Sequence, residues 1–263
     1  MLVLAVVQGL TEFLPVSSSG HLVLFGALLD LKDPGAFLEV ALHFGTLLAV
    51  VFFFRRDLLK LGRDLVSKRV PDAERRSAWK LTFALIVGTL PAAIVGLLFK
   101  DQIESLFDAP ALAGVALMAT GSLLLSTRFW KPGERGLETL GPLGALAVGI
   151  AQMMAMMPGI SRSGSTIACG MWLGLRGPEA GRYSFFLSLP VILGATILTG
   201  KDALETGTGL STFSLVAGVL VSAGVGFACL SWLMVLLRHG RLVGFGYYCL
   251  AVGAATVLIT VAG

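Results

Sequence analysis

Four side chains near the N-terminus have the types and spacing for phosphate chemistry. In QGLTEFLPVSSSGH, residues 8–21, Gln8 and Glu12 are four apart, so a helix places them on one face. Together they could hold a divalent cation that bridges phosphate oxygens. Ser18 and His21 are three apart and could meet across one helical turn, as a nucleophile and base for phosphoryl transfer. A second cluster, PGISRSGST at 158–166, carries Arg162. Its planar guanidinium can grip phosphate oxygens with two hydrogen bonds. In each cluster a proline precedes the serines, and after it the chain can restart as a helix with a serine at its N-cap. Two such helix starts would offer free N–H groups, dipole ends and hydroxyls to an anion. Ser17, Ser19 and Gly20 belong to the first, and Ser161, Ser163 and Gly164 to the second.

Plainer roles stand beside these. The serines can be helix caps only, Glu12 can pair with Arg162, and His21 can be structural. His43, inside an apolar stretch, reads as a core histidine. Glu39 stands between a packing and a cavity-lining reading, and Tyr183, Phe185 and Phe186 read as packing.

The elements that must position these groups are membrane helices. Hydrophobic residues make up 56% of the 263 and charged residues 14%, whereas soluble domains are nearer one quarter charged. Mean hydropathy is +0.86. Residues 81–99, 109–127, 183–200, 206–237 and 242–263 carry no Asp, Glu, Lys or Arg. Each is long enough to cross a hydrocarbon core, which takes roughly 20 helical residues. A sixth candidate is 36–54. The first eleven residues lack a basic segment and a cleavage site, so no cleaved leader is expected. Cys169, Cys229 and Cys249 lie in apolar segments without metal-ligand spacing and read as packing residues.

The stretch 55–80 holds nine basic residues against four acidic ones. The positive-inside rule makes it cytoplasmic, and the later basic residues then also fall inside. The net charge of +4 is thus explained by topology, and no nucleic-acid partner is expected.

The two clusters are related. QGLTEFLPVSSSG (8–20) and QMMAMMPGISRSG (152–164) share Gln8/Gln152, Ser17/Ser161, Ser19/Ser163 and Gly20/Gly164 at a constant offset, and 81–88 resembles 211–218 in the same order. Each half reads as one broken segment followed by three spans, about 1–130 and 139–263. An odd number of spans inverts the second half relative to the first. The expected fold is a single all-α polytopic membrane domain, an inverted-topology repeat with six transmembrane helices and two re-entrant helical hairpins meeting near the bilayer midplane. Hydropathy alone makes 139–161 a span, but Pro158-Gly159 interrupts it. Polar groups at such depth sit where protein or a wet cavity accommodates them.

QGLTEFLPVSSSGH and PGISRSGST resemble the two signature motifs of the undecaprenyl-diphosphatases, also called bacitracin-resistance proteins. The resemblance covers nearly the whole chain, including GTLPAAIVGLLF after the basic loop. It implies a multi-pass enzyme of the bacterial inner membrane with its site open to the periplasm. Such an enzyme removes the terminal phosphate of undecaprenyl diphosphate, and the monophosphate carrier returns to peptidoglycan synthesis. It also implies a divalent cation, Mg²⁺ or Ca²⁺. Carried over by motif position, Glu12, Ser18, His21 and Arg162 match the family's key residues. The family's motif often begins with Glu; Gln8 here removes one charge from a metal site built with Glu12. The expected partners are the polyprenyl diphosphate lipid and the bilayer, with a homodimer left open. The rival reading is a transporter of a lipid phosphate, which needs phosphate binding but no nucleophile.

Overall fold

The computed structural model describes residues 1–28, 36–129, 133–206 and 211–262. The described residues form helices, with one isolated bridge between Arg135 and Leu175 and no strand. Two helical hairpins organise the fold. The first joins α1 (Leu2–Phe13) to α2 (Ser18–Leu28), and the second joins α8 (Pro142–Met154) to α9 (Arg162–Trp172). At 1.5 Å per residue these helices are only about 16–20 Å long, too short for a ~30 Å core. The expected break in 139–161 is present: α8 stops at Met154, and an irregular segment leads to α9.

The remaining long helices enclose the hairpins. They are α3 (Ala36–Phe53), α5 (Asp72–Leu98), α7 (Pro110–Ser126), α10 (Gly177–Thr206), α11 (Thr212–Arg238) and α12 (Val243–Ala262). Five of them, α5, α7, α10, α11 and α12, carry stretches long and apolar enough to cross a membrane. The apolar part of α3, Val40–Phe53, is shorter, like Leu2–Phe13 and Pro142–Met154. The chain is a multi-pass membrane protein.

The side chains are distributed accordingly. On α5, Phe83, Ile86, Leu90, Ile94 and Leu97 are exposed, while Ala84, Gly88 and Ala92 are buried. Large residues thus face lipid and small ones face protein, which lets helix backbones approach closely. Tyr183, Phe185 and Phe186 are buried as expected, and the Tyr183 hydroxyl donates to the Ala84 carbonyl at 2.7 Å.

The basic stretch 55–80 is more ordered than a plain connection. It holds the amphipathic helix α4 (Arg55–Val66) and the start of α5. Asp64 of α4 is buried and bonded to Lys60 and Arg63. Lys60 also reaches Glu74 on α5, and Arg182 on α10 pairs with Asp57 at 2.7 Å.

Candidate active site

The hairpin tips face each other because neither has a side chain at the point of contact. A Cβ on Gly20 would stand 2.9 Å from the Gly159 Cα. Gly159 itself has φ +94, and a Cβ there would meet the Ala113 carbonyl at 2.2 Å. Polar bonds join the tips: Ser17 Oγ lies 3.4 Å from the Ile160 carbonyl, and Ser163 Oγ donates to the Leu14 carbonyl at 3.2 Å.

The two helix starts are built alike. Ser161 caps α9 by accepting from the Gly164 N–H at 3.0 Å, and Ser17 accepts from the Gly20 N–H at 3.3 Å. The Ser161–Ser163 and Ser17–Ser19 hydroxyl pairs are each separated by 3.2 Å. Each cap uses one first-turn N–H, and the N–H groups of Ser18, Ser19, Arg162 and Ser163 have no partner within their helices. Gly20, Ser163 and Gly164 therefore make the tip contact. Ser17, Ser18, Ser19, Ser161 and Arg162 line a cavity of about 330 Å³ beside it. Its remaining walls are largely apolar, from Ala92 on α5, Ile103 on α6 (Lys100–Ser105), Phe107, and Val191, Ile192 and Ala195 on α10.

Glu12 is the hub of the site. It is 7% exposed at the end of α1. Ser18 Oγ donates to Oε2 at 2.8 Å, Gln8 Nε2 donates to the same oxygen at 3.0 Å, and Arg162 Nη2 reaches Oε1 at 2.5 Å. His43 Nε2 is 3.4 Å from Oε2. A buried carboxylate needs such compensation. Arg162 Nη1 and both polar atoms of Gln152 are buried without a protein partner, and both residues line the cavity. Two of these atoms, Arg162 Nη1 and Gln152 Nε2, are donors, and buried donors left open in this way suit an incoming anion.

Two expectations are corrected. Ser18 does not meet His21: its hydroxyl is bonded to Glu12. His21 Nδ1 contacts the Ser17 carbonyl and Nε2 the Tyr248 hydroxyl, each at 2.8 Å, and its side chain is not part of the cavity wall. Gln8 does not present an oxygen beside Glu12 for a shared cation: it donates its amide N–H, and Gln8 Oε1 is buried without a partner. Among the described residues no group of three or more His, Cys, Asp or Glu side chains is placed to hold a metal. The side chain of Glu39 lies outside the described residues.

Some participants were not anticipated. His43 is a cavity residue beside Glu12 rather than a core histidine. Its lone position in an apolar helix was the available signal. Gln152 had one too, as the repeat mate of Gln8. Thr120 had none: its hydroxyl donates to the Gly159 carbonyl at 2.9 Å and accepts from the Ser161 N–H at 3.0 Å.

The comparisons with known proteins give the family. The family model described as "Bacitracin resistance protein BacA" matches residues 1–255. A protein of Halothermothrix orenii named "Undecaprenyl-diphosphatase" is 41% identical over 257 residues, covering 97% of this chain and 95% of its own. Proteins of the same name from Desulfosudis oleivorans and Methanosphaera stadtmanae are 42% and 39% identical, covering 98% and 99% of this chain and 96% and 97% of theirs. Matched over residues 1–255 and carrying both polar tips, this chain belongs to the bacitracin resistance protein BacA family.

Proposed function

We propose that the chain is an undecaprenyl-diphosphatase, hydrolysing undecaprenyl diphosphate to undecaprenyl phosphate and inorganic phosphate and so recycling the carrier for peptidoglycan synthesis. The names of its relatives support the substrate. The observation that carries the chemistry is a cavity-lining hydroxyl, Ser18, bonded to a carboxylate whose other oxygen is held by Arg162. The diphosphate enters beside the tips while the polyprenyl tail follows the apolar walls toward lipid. Arg162 Nη1, Gln152 and the first-turn N–H groups receive the phosphate oxygens.

Ser18 Oγ attacks the terminal phosphorus as its proton passes to Glu12 Oε2. The bridging P–O bond breaks, and undecaprenyl phosphate leaves with the electron pair. Water then attacks the phosphoserine, Glu12 returns the proton to Ser18, and phosphate departs. Positioning and charge stabilisation supply most of the acceleration, as in phosphoryl transfer generally.

The side chains around Glu12 do not fit a protein-held divalent cation. Among the described cavity residues Glu12 is the single acidic group, and both its oxygens accept bonds from protein donors. An Mg²⁺ or Ca²⁺ ion, if required, would find one carboxylate here and would have to take its other ligands from outside these side chains.

We further read the fold as an inverted repeat of about 1–130 and 139–263 with six spans. The matching caps and serine pairs support this, as does the packing of α1 on α11 and of α8 on α5. With the basic stretch 55–80 in the cytoplasm, α5 runs outward. Ile103 and Phe107, just beyond its end, line the cavity. This supports a site open to the periplasmic side of the inner membrane. A transporter would have no use for the Ser18–Glu12 pair.

The test is phosphate release from undecaprenyl diphosphate by purified protein in detergent, with and without Mg²⁺ or Ca²⁺, beside Glu12→Ala. Metal-dependent release that the variant lacks is expected. No release by folded wild type across detergents and metals overturns the proposal.

A further inference from the structure

The hydrogen bonds around His21 have a fixed direction. Its Nδ1 lies 2.8 Å from the Ser17 carbonyl, which can only accept, so Nδ1 carries the proton. Nε2 of the neutral ring is then an acceptor, and its partner at 2.8 Å, the Tyr248 hydroxyl, is the donor. The rings stack at 5.6 Å with 5° between their planes. In this chain of bonds, Tyr248 O–H to Nε2 and Nδ1–H to Ser17 O, the one basic lone pair of the neutral ring is engaged by Tyr248 and not by Ser18. The ring also points away from the chemistry. Tyr248 is 45% exposed on α12, whereas Ser18 faces Glu12 in the cavity. A general base must reach the proton it removes.

The bonds end on a residue that needs holding. Ser17 has φ +67, the single non-glycine with positive φ among the described residues. Left-handed backbone disfavours L-residues. That conformation sets the direction in which α2 leaves the tip and so brings Ser18 onto Glu12. A second bond from α12 supports the same turn: Cys249, beside Tyr248, contacts the Pro15 carbonyl at 3.7 Å.

We propose that Tyr248 is a positioning residue for the hydrolase, acting through His21, which serves as a hydrogen-bond bridge to the Ser17 carbonyl and not as a proton shuttle. The proposal rests on the phosphatase reading above and adds a residue on a different helix. Tyr248 holds His21, His21 holds the left-handed turn, and the turn holds the nucleophile.

Three variants and one spectrum test it. His21→Gln keeps a donor for the Ser17 carbonyl and an acceptor for Tyr248 but cannot shuttle protons near neutral pH. His21→Leu keeps bulk and loses both bonds. Tyr248→Phe loses only the hydroxyl. We expect His21→Gln to stay within about tenfold of wild-type kcat/KM with the same pH profile, and His21→Leu to lose at least about tenfold more. Tyr248→Phe should lower kcat roughly threefold to tenfold, the range of one net hydrogen bond, with KM little changed. A His21→Gln protein as inactive as His21→Leu, or one with its acid limb abolished, overturns the proposal. So does a Tyr248→Phe protein with wild-type kcat. The ¹⁵N spectrum of the histidine rings, assigned by difference with His21→Gln, reads the proton directly. His21 should carry it on Nδ1, with an Nε2 resonance that moves in Tyr248→Phe. A proton on Nε2 overturns the bridge. An inactive wild type counts against the hydrolase reading, and the ring spectrum then decides the bridge alone.

Discussion

Glu12 serves Ser18 and Arg162 with different oxygens, and each contact makes its own prediction. Ser18→Ala removes the proposed nucleophile and should lower kcat by about 10³-fold or more with the fold intact. Brief incubation of wild type with ³²P-labelled substrate, followed by acid quench, should trap label on Ser18. Full turnover by the alanine variant would end the covalent route. Arg162→Lys keeps a charge but loses the fork that reaches Glu12 with one arm and leaves the other open. It should cost roughly 10- to 100-fold in kcat/KM, and wild-type kinetics would show that the fork is unused. Sequence spacing named Glu12, Ser18 and Arg162 but mispaired Ser18. The reason is directional: the first residue of a helix points its side chain back toward the helix N-terminus. For Ser18 that direction leads to α1 and Glu12. His21, one turn on, reaches back to the Ser17 carbonyl. Contacts within a helix can be read from a period, whereas those across a tip depend on the turn between two helices.

The tips are held in place by α7 and α12, which lie almost backbone to backbone. A Cβ on Gly121 would stand 2.7 Å from the Gly246 carbonyl and 2.9 Å from the Leu250 nitrogen. Neither can yield as a flexible side chain does. Gly121→Ala should therefore destabilise the protein by about 1–3 kcal/mol, seen as a lower Tm in detergent. Activity should fall as well, because Thr120 beside it holds the second tip. Gly224→Ala, with no atom within 4 Å of the added Cβ, is the control and should do neither. Equal Tm values for the two variants would deny the close approach. At the other end, α4 is tied by Asp64, whose hydrogen bond from Lys60, with Arg63 beside it, holds its carboxyl below the usual range. A depressed carboxylate contributes stability above its unfolded pKa of about 3.9 and loses it as pH falls through the lower folded value. Asp64→Asn should thus lower Tm at pH 7, and the gap should close as the pH drops below about 4. A gap that is absent at neutral pH or constant in acid would refute the tie. Helix existence was legible from uncharged runs and prolines. The order within 55–80 was not, because its charges read equally well as a loop obeying topology; their mutual contacts make it a helix.

At the scale of the whole molecule, orientation decides which compartment supplies the substrate. The positive-inside argument uses charge alone, and the cavity uses geometry alone. They meet at 100–107, the segment that follows the C-terminal end of α5 and contributes Ile103 and Phe107 to the cavity wall. If both are right, a residue in the basic stretch and one in this segment lie on opposite faces of the membrane. Lys68 and Gln102 are exposed and suit the test. In a background with Cys169, Cys229 and Cys249 changed to alanine, Gln102→Cys should react with a membrane-impermeant maleimide added to spheroplasts. Lys68→Cys should react only after the membrane is permeabilised. The reverse pattern would turn the molecule over and open the cavity to the cytoplasm, contradicting the proposed periplasmic site. Adding Phe107→Cys to the series joins orientation to chemistry. Its label would sit at the cavity wall, so modification from outside should slow phosphate release in step with labelling. Label incorporated without loss of turnover would mean that the lipid reaches Ser18 by another opening.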